Sequence, residues 1–112
     1  MNARDKVILS KITKYIQDVF AYTSGMDFQQ FMADAKTTAA TAFAIGQMGE
    51  LANSISDELR MAHADIPWKG LRGMRNKIIH DYENVDFTML WQTIIEDLPN
   101  LHEQLQRLLQ SQ

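Results

Sequence analysis

Between positions 75 and 82 the chain reads Arg-Asn-Lys-Ile-Ile-His-Asp-Tyr, and its arginine and histidine can together do chemistry on a phosphodiester. Histidine titrates near pH 6.5, so His80 can take a proton from one oxygen and return one to another in the same pH range. Arginine carries a permanent planar fork of donors, so Arg75 can grip two phosphate oxygens while charge builds on them. RNA brings its own nucleophile, the 2′-hydroxyl. Its cleavage needs a base for that hydroxyl, an acid for the departing 5′-oxygen and a cation for the phosphorane, with neither metal nor cofactor. The stretch holds one histidine and the reaction wants two proton carriers. A two-fold dimer that sets two such helices side by side would supply both.

The apolar spacing predicts that these residues ride on a helix from Lys69 to about Tyr82. On its wheel Leu71, Met74, Ile78 and Tyr82 form a core stripe, while Asn76 and His80, one turn apart, share another face. Arg75 lies between the two, nearest Ile79 and Tyr82. Its long side chain, or a second copy of the helix, must close the gap to the imidazole. Lys69, Arg72 and Lys77 add positive charge on the same helix and are candidates for RNA contact.

Four further helices are expected around it. Ile8, Ile12, Tyr15, Ile16 and Val19 mark an amphipathic helix from about Arg4 to Ala21, ended by Ser24-Gly25. Asp27 caps a short helix to about Ala35. A long helix from Thr37 to Met61 buries Ala44, Met48, Leu51, Ile55 and Leu59, and its small residues, Gly46 and Gly49 among them, let another helix approach closely. Ile66-Pro67 marks a linker, because a residue before proline is biased away from helix. Asp86 caps a last helix carrying Phe87, Leu90, Trp91, Ile94, Leu98, Leu101, Leu105 and Leu108, which Pro99 must kink or split. The fold class is all-α, an antiparallel bundle of four to six helices in one domain over residues 1–112.

Composition agrees with that architecture. Only 5 glycines and 2 prolines interrupt 112 residues, while 46% hydrophobic residues suffice for a core. The absence of cysteine removes disulfides, thiolate metal sites and thiol nucleophiles, and fits a reducing cytoplasm. The apolar stretches fall short of the ~18 residues of a membrane span, and the first residues run into no signal-like block. A soluble, cytoplasmic protein is expected. The net charge of −3 argues mildly against nucleic acid. From Ile66 to His80, however, there are four bases and no acid, whereas Asp81 to Gln112 holds six acids and one base. A basic segment on an acidic body can recruit RNA locally.

Arg75-Asn76-x3-His80-x-Tyr82 resembles the R-x4-H-x-Y signature of HEPN-superfamily ribonucleases, specifically the HepT-like toxins. The similarity runs from about Thr37 to Leu105. It takes in Ile66-Pro67-Trp68, Gly73-Met74, Val85-Asp86, Leu90-Trp91 and a Gly49-Glu50 pair. The resemblance implies a homodimeric bundle with an RNA cleft at the subunit interface and Arg75 and His80 as catalytic residues, Asn76 supporting them. It also implies the toxin of a type VII toxin–antitoxin pair. Its partner would be a minimal nucleotidyltransferase antitoxin that transfers AMP to Tyr82, with toxin and antitoxin able to form a larger complex. Adenylate there would add bulk and negative charge near Arg75.

Each residue also has a plainer reading. Glu50 is either a salt-bridge partner of Arg75 or the group that orients it, and the two roles are compatible. Pro67 and Trp68 read as a wedge at a helix start in preference to a stacking platform for bases. Tyr82 by spacing alone is a packing residue. The 7 methionines read as flexible core filler. A metal-dependent phosphohydrolase built on His63 and His80-Asp81 would need more ligands than the chain offers. The competing function is a non-catalytic protein that docks a nucleotidyltransferase through the same helix.

Overall fold

Helix α1 (Ala3–Thr23) turns Ile8, Leu9, Ile12, Ile16 and Val19 inward. It stops where Gly25 takes φ +76°, a left-handed conformation that glycine adopts without strain. Asp27 then caps α2 (Phe28–Ala33) in a reciprocal box with Gln30, each side chain bonding the other's backbone N–H. The computed structural model describes residues 1–111, and no strand occurs among them.

Helix α3 (Ala35–Ala52) begins where Asp34 accepts a hydrogen bond from the Thr37 N–H at 3.0 Å. The single helix expected from Thr37 to Met61 is in fact two. After Ala52 the chain turns through Asn53–Ser56 and restarts as α4 (Asp57–Ala62). The break has an identifiable cause. The Ser56 hydroxyl accepts from the Leu59 N–H at 3.2 Å as an N-cap, and the buried Asp5 carboxylate of α1 accepts from the Ser56 N–H at 3.0 Å and from its hydroxyl at 2.5 Å. A carboxylate 2% exposed needs such donors, and continuing the helix through Ser56 would commit that N–H to its own ladder.

Helix α5 (Trp68–His80) follows the Ile66-Pro67 linker as expected. Trp68 is buried, with its indole N–H donated to the His63 carbonyl at 3.1 Å, so it is the wedge at the helix start. A 3₁₀ turn (Tyr82–Asn84) leads to α6 (Phe87–Gln92), where one Asp86 oxygen accepts from Thr88 at 2.9 Å and Met89 at 3.3 Å. The last helix is split next to Pro99, as the sequence suggests. A π-helical stretch (Thr93–Asp97) precedes α7 (Leu98–Gln110), the Leu98 N–H reaching back five residues to the Thr93 carbonyl. The wider turn accommodates the ladder just before the position where proline lacks a donor. Six rods result among the described residues if α6, the π stretch and α7 are taken as one.

One continuous core joins them. Leu98, Leu101, Leu105 and Leu108 of α7 share it with the buried row of α1, and each fully buried aliphatic chain contributes roughly 1.5–3 kcal/mol. Helix α3 lies between α1 and α5 and packs closely against both. Its glycines make the second contact possible. A Cβ built on Gly49 would overlap the Leu71 carbonyl oxygen and Arg75 Cβ, while one on Gly46 would meet Ile78 Cγ2 at 3.4 Å, an ordinary contact. Gly49→Ala should therefore force the helices apart and cost about 1–3 kcal/mol in a urea unfolding curve. Gly46→Ala gains helix propensity, up to about 1 kcal/mol, and should be neutral or stabilising in the same assay.

Candidate active site on helix α5

Leu71 and Ile78 of α5 are buried and Met74 packs against the core, which fixes the rotation of the helix. That rotation lays Arg75 on Gly49 and brings its Nε to 2.6 Å from Glu50 Oε2, an ion-pair contact in which the N–H is not aligned on the oxygen. The Arg75 Nη1 donates to Asn76 Oδ1 at 2.9 Å. Both partners of the pair are partly open to solvent, at 28% and 50% of their side chains, so it contributes no more than about 1 kcal/mol. Its importance is geometric. Held from two directions, the guanidinium has few orientations left.

Around it lies a shallow hollow of about 400 Å³ lined by Lys69, Arg72, Arg75, Asn76, Gly49 of α3 and Asn53 just past the end of α3. Three cations face this space, and Arg72 Nε is buried without a hydrogen-bond partner among the described residues. The arrangement suits a phosphate, which would bring acceptors to groups that lack them. Asn53 is a lining residue that the sequence reading does not reach. Its one signal there is its place four residues after Gly49.

Other expected site residues lie elsewhere. Lys77 pairs with Asp81 at 3.3 Å and does not line the hollow. The His80 imidazole is exposed and has no hydrogen bond or ion pair among the described residues. It follows Arg75 by five residues, about 7.5 Å along the helix and about 140° around it, so one copy of α5 leaves the two groups turned apart. Tyr82 departs from the core stripe predicted for it. The helix ends at His80, Asp81 takes φ −150° and ψ 46°, and Tyr82 opens the 3₁₀ turn at 44% exposure with its ring edge-on to Phe87. Among the described residues no group of three or more His, Cys, Asp or Glu side chains is arranged to hold a metal ion. No helix there is long and apolar enough to cross a membrane.

An all-helical bundle that carries arginine, asparagine and histidine along one helix beside a cationic hollow defines a class of candidate RNA-cleaving domains. The chain belongs to the family described as ribonuclease HepT-like, whose model matches residues 12–108. It is 33% identical over 108 residues to a "Probable ribonuclease HepT" of Thermococcus cleftensis, covering 96% of this chain and 98% of that one. Two further relatives carry an RNase assignment in their names. One, from Caldanaerobacter subterraneus, is 31% identical with 93% of each chain covered. The other, from Methanocaldococcus jannaschii, is 30% identical with 97% and 95% covered. No solved structure gives a significant match.

Asp81, between His80 and Tyr82, accepts from Asn84 Nδ2 at 2.6 Å and from Lys77 Nζ at 3.3 Å. The Asn84 bond, and after it the Lys77 bond, hold its carboxyl below the usual carboxylate range. A folded value below the unfolded one means stability that is present above the unfolded pKa and fades as pH falls through the folded pKa. Asn84→Ala removes the larger cause. In an NMR titration Asp81 should then move up towards its ordinary 3.8, and acid unfolding should begin at higher pH.

Proposed function

We propose that this chain is a metal-independent RNA endonuclease that works as a homodimer through Arg75 and His80. The observation that carries the reading is the contrast between those two groups. Arg75 is fixed by Glu50 and Asn76 at the edge of a cationic hollow. His80, on the same helix, is exposed and committed to no other partner among the described residues. A second copy supports both needs at once. Phe43 and Ile79 are 60% and 48% exposed on the side of α3 and α5 that Arg75 occupies, and apolar side chains of that size favour being covered.

In such a dimer one neutral imidazole takes the 2′-hydroxyl proton as that oxygen attacks phosphorus. The second, protonated, gives its proton to the 5′-oxygen as the bond to phosphorus breaks. Arg75 holds the non-bridging oxygens while charge accumulates on them. The products are a 2′,3′-cyclic phosphate and a free 5′-hydroxyl. His80→Ala should lower cleavage of a single-stranded RNA by about 10²–10⁴ and Arg75→Ala by about 10²–10³, with the far-ultraviolet circular dichroism unchanged. The parent should be as active in EDTA as without it. Restoration by magnesium of an activity lost to chelator would contradict the mechanism. Identical fragment patterns from parent and His80→Ala would hand the case to the non-catalytic docking protein.

The same reading makes the chain a toxin whose partner is a nucleotidyltransferase antitoxin. Tyr82 suits the acceptor role because its ring stands beyond the helix end and is 44% exposed. Its phenol oxygen would attack the α-phosphorus of ATP, forming the tyrosyl–AMP ester and releasing pyrophosphate and a proton. Intact-mass analysis after incubation with the nucleotidyltransferase and ATP should show one AMP added to the parent and none to Tyr82→Phe. Co-expression with that enzyme should relieve growth inhibition in the parent only.

A further inference from the structure

Eight of the eleven lysines and arginines sit on two helices. Arg4, Lys6, Lys11 and Lys14 are on α1, and Lys69, Arg72, Arg75 and Lys77 on α5. Both helices pack against α3. The only acid on α1 before Asp18 is Asp5, and it is 2% exposed and bonded to Ser56. The exposed charges of the first four turns of α1 are therefore all positive. Lys6 and Lys11 have no ion-pair partner among the described residues, whereas Lys14 pairs with Asp18 at 2.9 Å.

An open groove of about 850 Å³ runs between α1 and α3, lined by Lys6, Lys11, Lys14, Tyr15, Gln47 and Leu51 among others, with Asp18 also on its wall. On α3, at about 100° per residue, Gln47 and Leu51 fall on one shoulder of the exposed ridge that carries Phe43 and Glu50. Gly49 and Asn53, which line the α5 hollow, fall on the other shoulder. Groove and hollow thus open on the same side of the molecule with one helical ridge between them.

We propose that the α1–α3 groove is a second RNA subsite, holding the single strand that flanks the scissile phosphate gripped at α5. This rests on the ribonuclease reading above. The chemistry of the lining selects the ligand. Lysine ammoniums spaced along a groove can track a phosphate backbone, and a half-buried tyrosine ring beside aliphatic side chains offers unstacked bases a surface. A duplex hides those bases and would use only the charges. An acidic peptide would also use the charges, but only a nucleic acid carries a stacking ring on every charged repeat.

The test uses two fluorescein-labelled RNAs, one of roughly 20 nucleotides and one of roughly 4, bound to the chain in a His80→Ala background. Lys6→Ala/Lys11→Ala is compared with Lys36→Ala/Arg107→Ala, which changes net charge equally but away from the groove. The groove pair should weaken the longer RNA about tenfold at about 50 mM salt. It should also lower the magnitude of its log–log salt dependence by about 1.4, or about 0.7 for each phosphate no longer neutralised. The short RNA should stay within about twofold, and the control pair should change neither. Photo-cross-linking of the longer RNA through 4-thiouridine should label the peptide that contains Tyr15. Unchanged binding in the groove pair, equal weakening by both pairs, or adducts confined to α5 would overturn the subsite while leaving the ribonuclease reading intact. A parent chain that neither binds nor cuts either RNA would overturn both.

Discussion

The α3–α5 contact at Gly49 is the constraint from which the site follows. There the backbone of one helix touches the backbone and a Cβ of the other, with no side chain between. Close approach brings Glu50, the next residue on α3, within reach of Arg75. It also leaves only a shallow space above, which Arg72 and Lys69 line with their charge. A larger residue at position 49 would separate the helices and loosen every one of these relations together. Packing here sets the electrostatics, because the exposed ion pair is too weak to position the helices by itself.

The charge distribution follows a similar logic. An acidic chain can still address a polyanion if its acids lie elsewhere or point inward. Asp5 is turned into the core to hold the start of α4, and Glu50 is engaged by Arg75. What remains on the α1 and α5 flanks of α3 is chiefly positive, while the segments from Asp81 onward carry many of the acids. Net charge averages over these two sides and conceals the division.

Much of this is legible in the sequence, for reasons particular to each element. Asp27, Asp86 and Ser24-Gly25 announce their helix ends through local hydrogen bonding and backbone freedom, which need no tertiary context. The stripe of Leu71, Met74 and Ile78 correctly orients α5. The break after Ala52 escapes the periodicity because Met48, Leu51, Ile55 and Leu59 keep helical spacing straight across it. The contrary signal, Ser56 followed by Asp57 and Glu58, is a cap with acids in the first turn. Tyr82 fits the stripe by spacing, yet Asp81 and Asn84 close a local bond that ends the helix first. The residue types of the proposed catalytic pair, arginine and histidine, can be read directly. The grip of Glu50 on Arg75 rests on tertiary contact, and the basic flank of α1 on the burial of Asp5, so neither shows in composition.

The π stretch at Thr93–Asp97 has a bearing on how this chain can vary in length. There the Leu98 N–H bonds the Thr93 carbonyl five residues back, so the turn holds one residue more than a regular α-helical turn, and Leu98, Leu101, Leu105 and Leu108 beyond it are all buried. Removing a single residue there would let the ladder close regularly while the leucines of α7 keep facing the core, whereas a deletion within the regular part of α7 would rotate everything downstream of it by roughly 100°. The irregular turn is thus where the last helix can lose a residue without changing the side it buries.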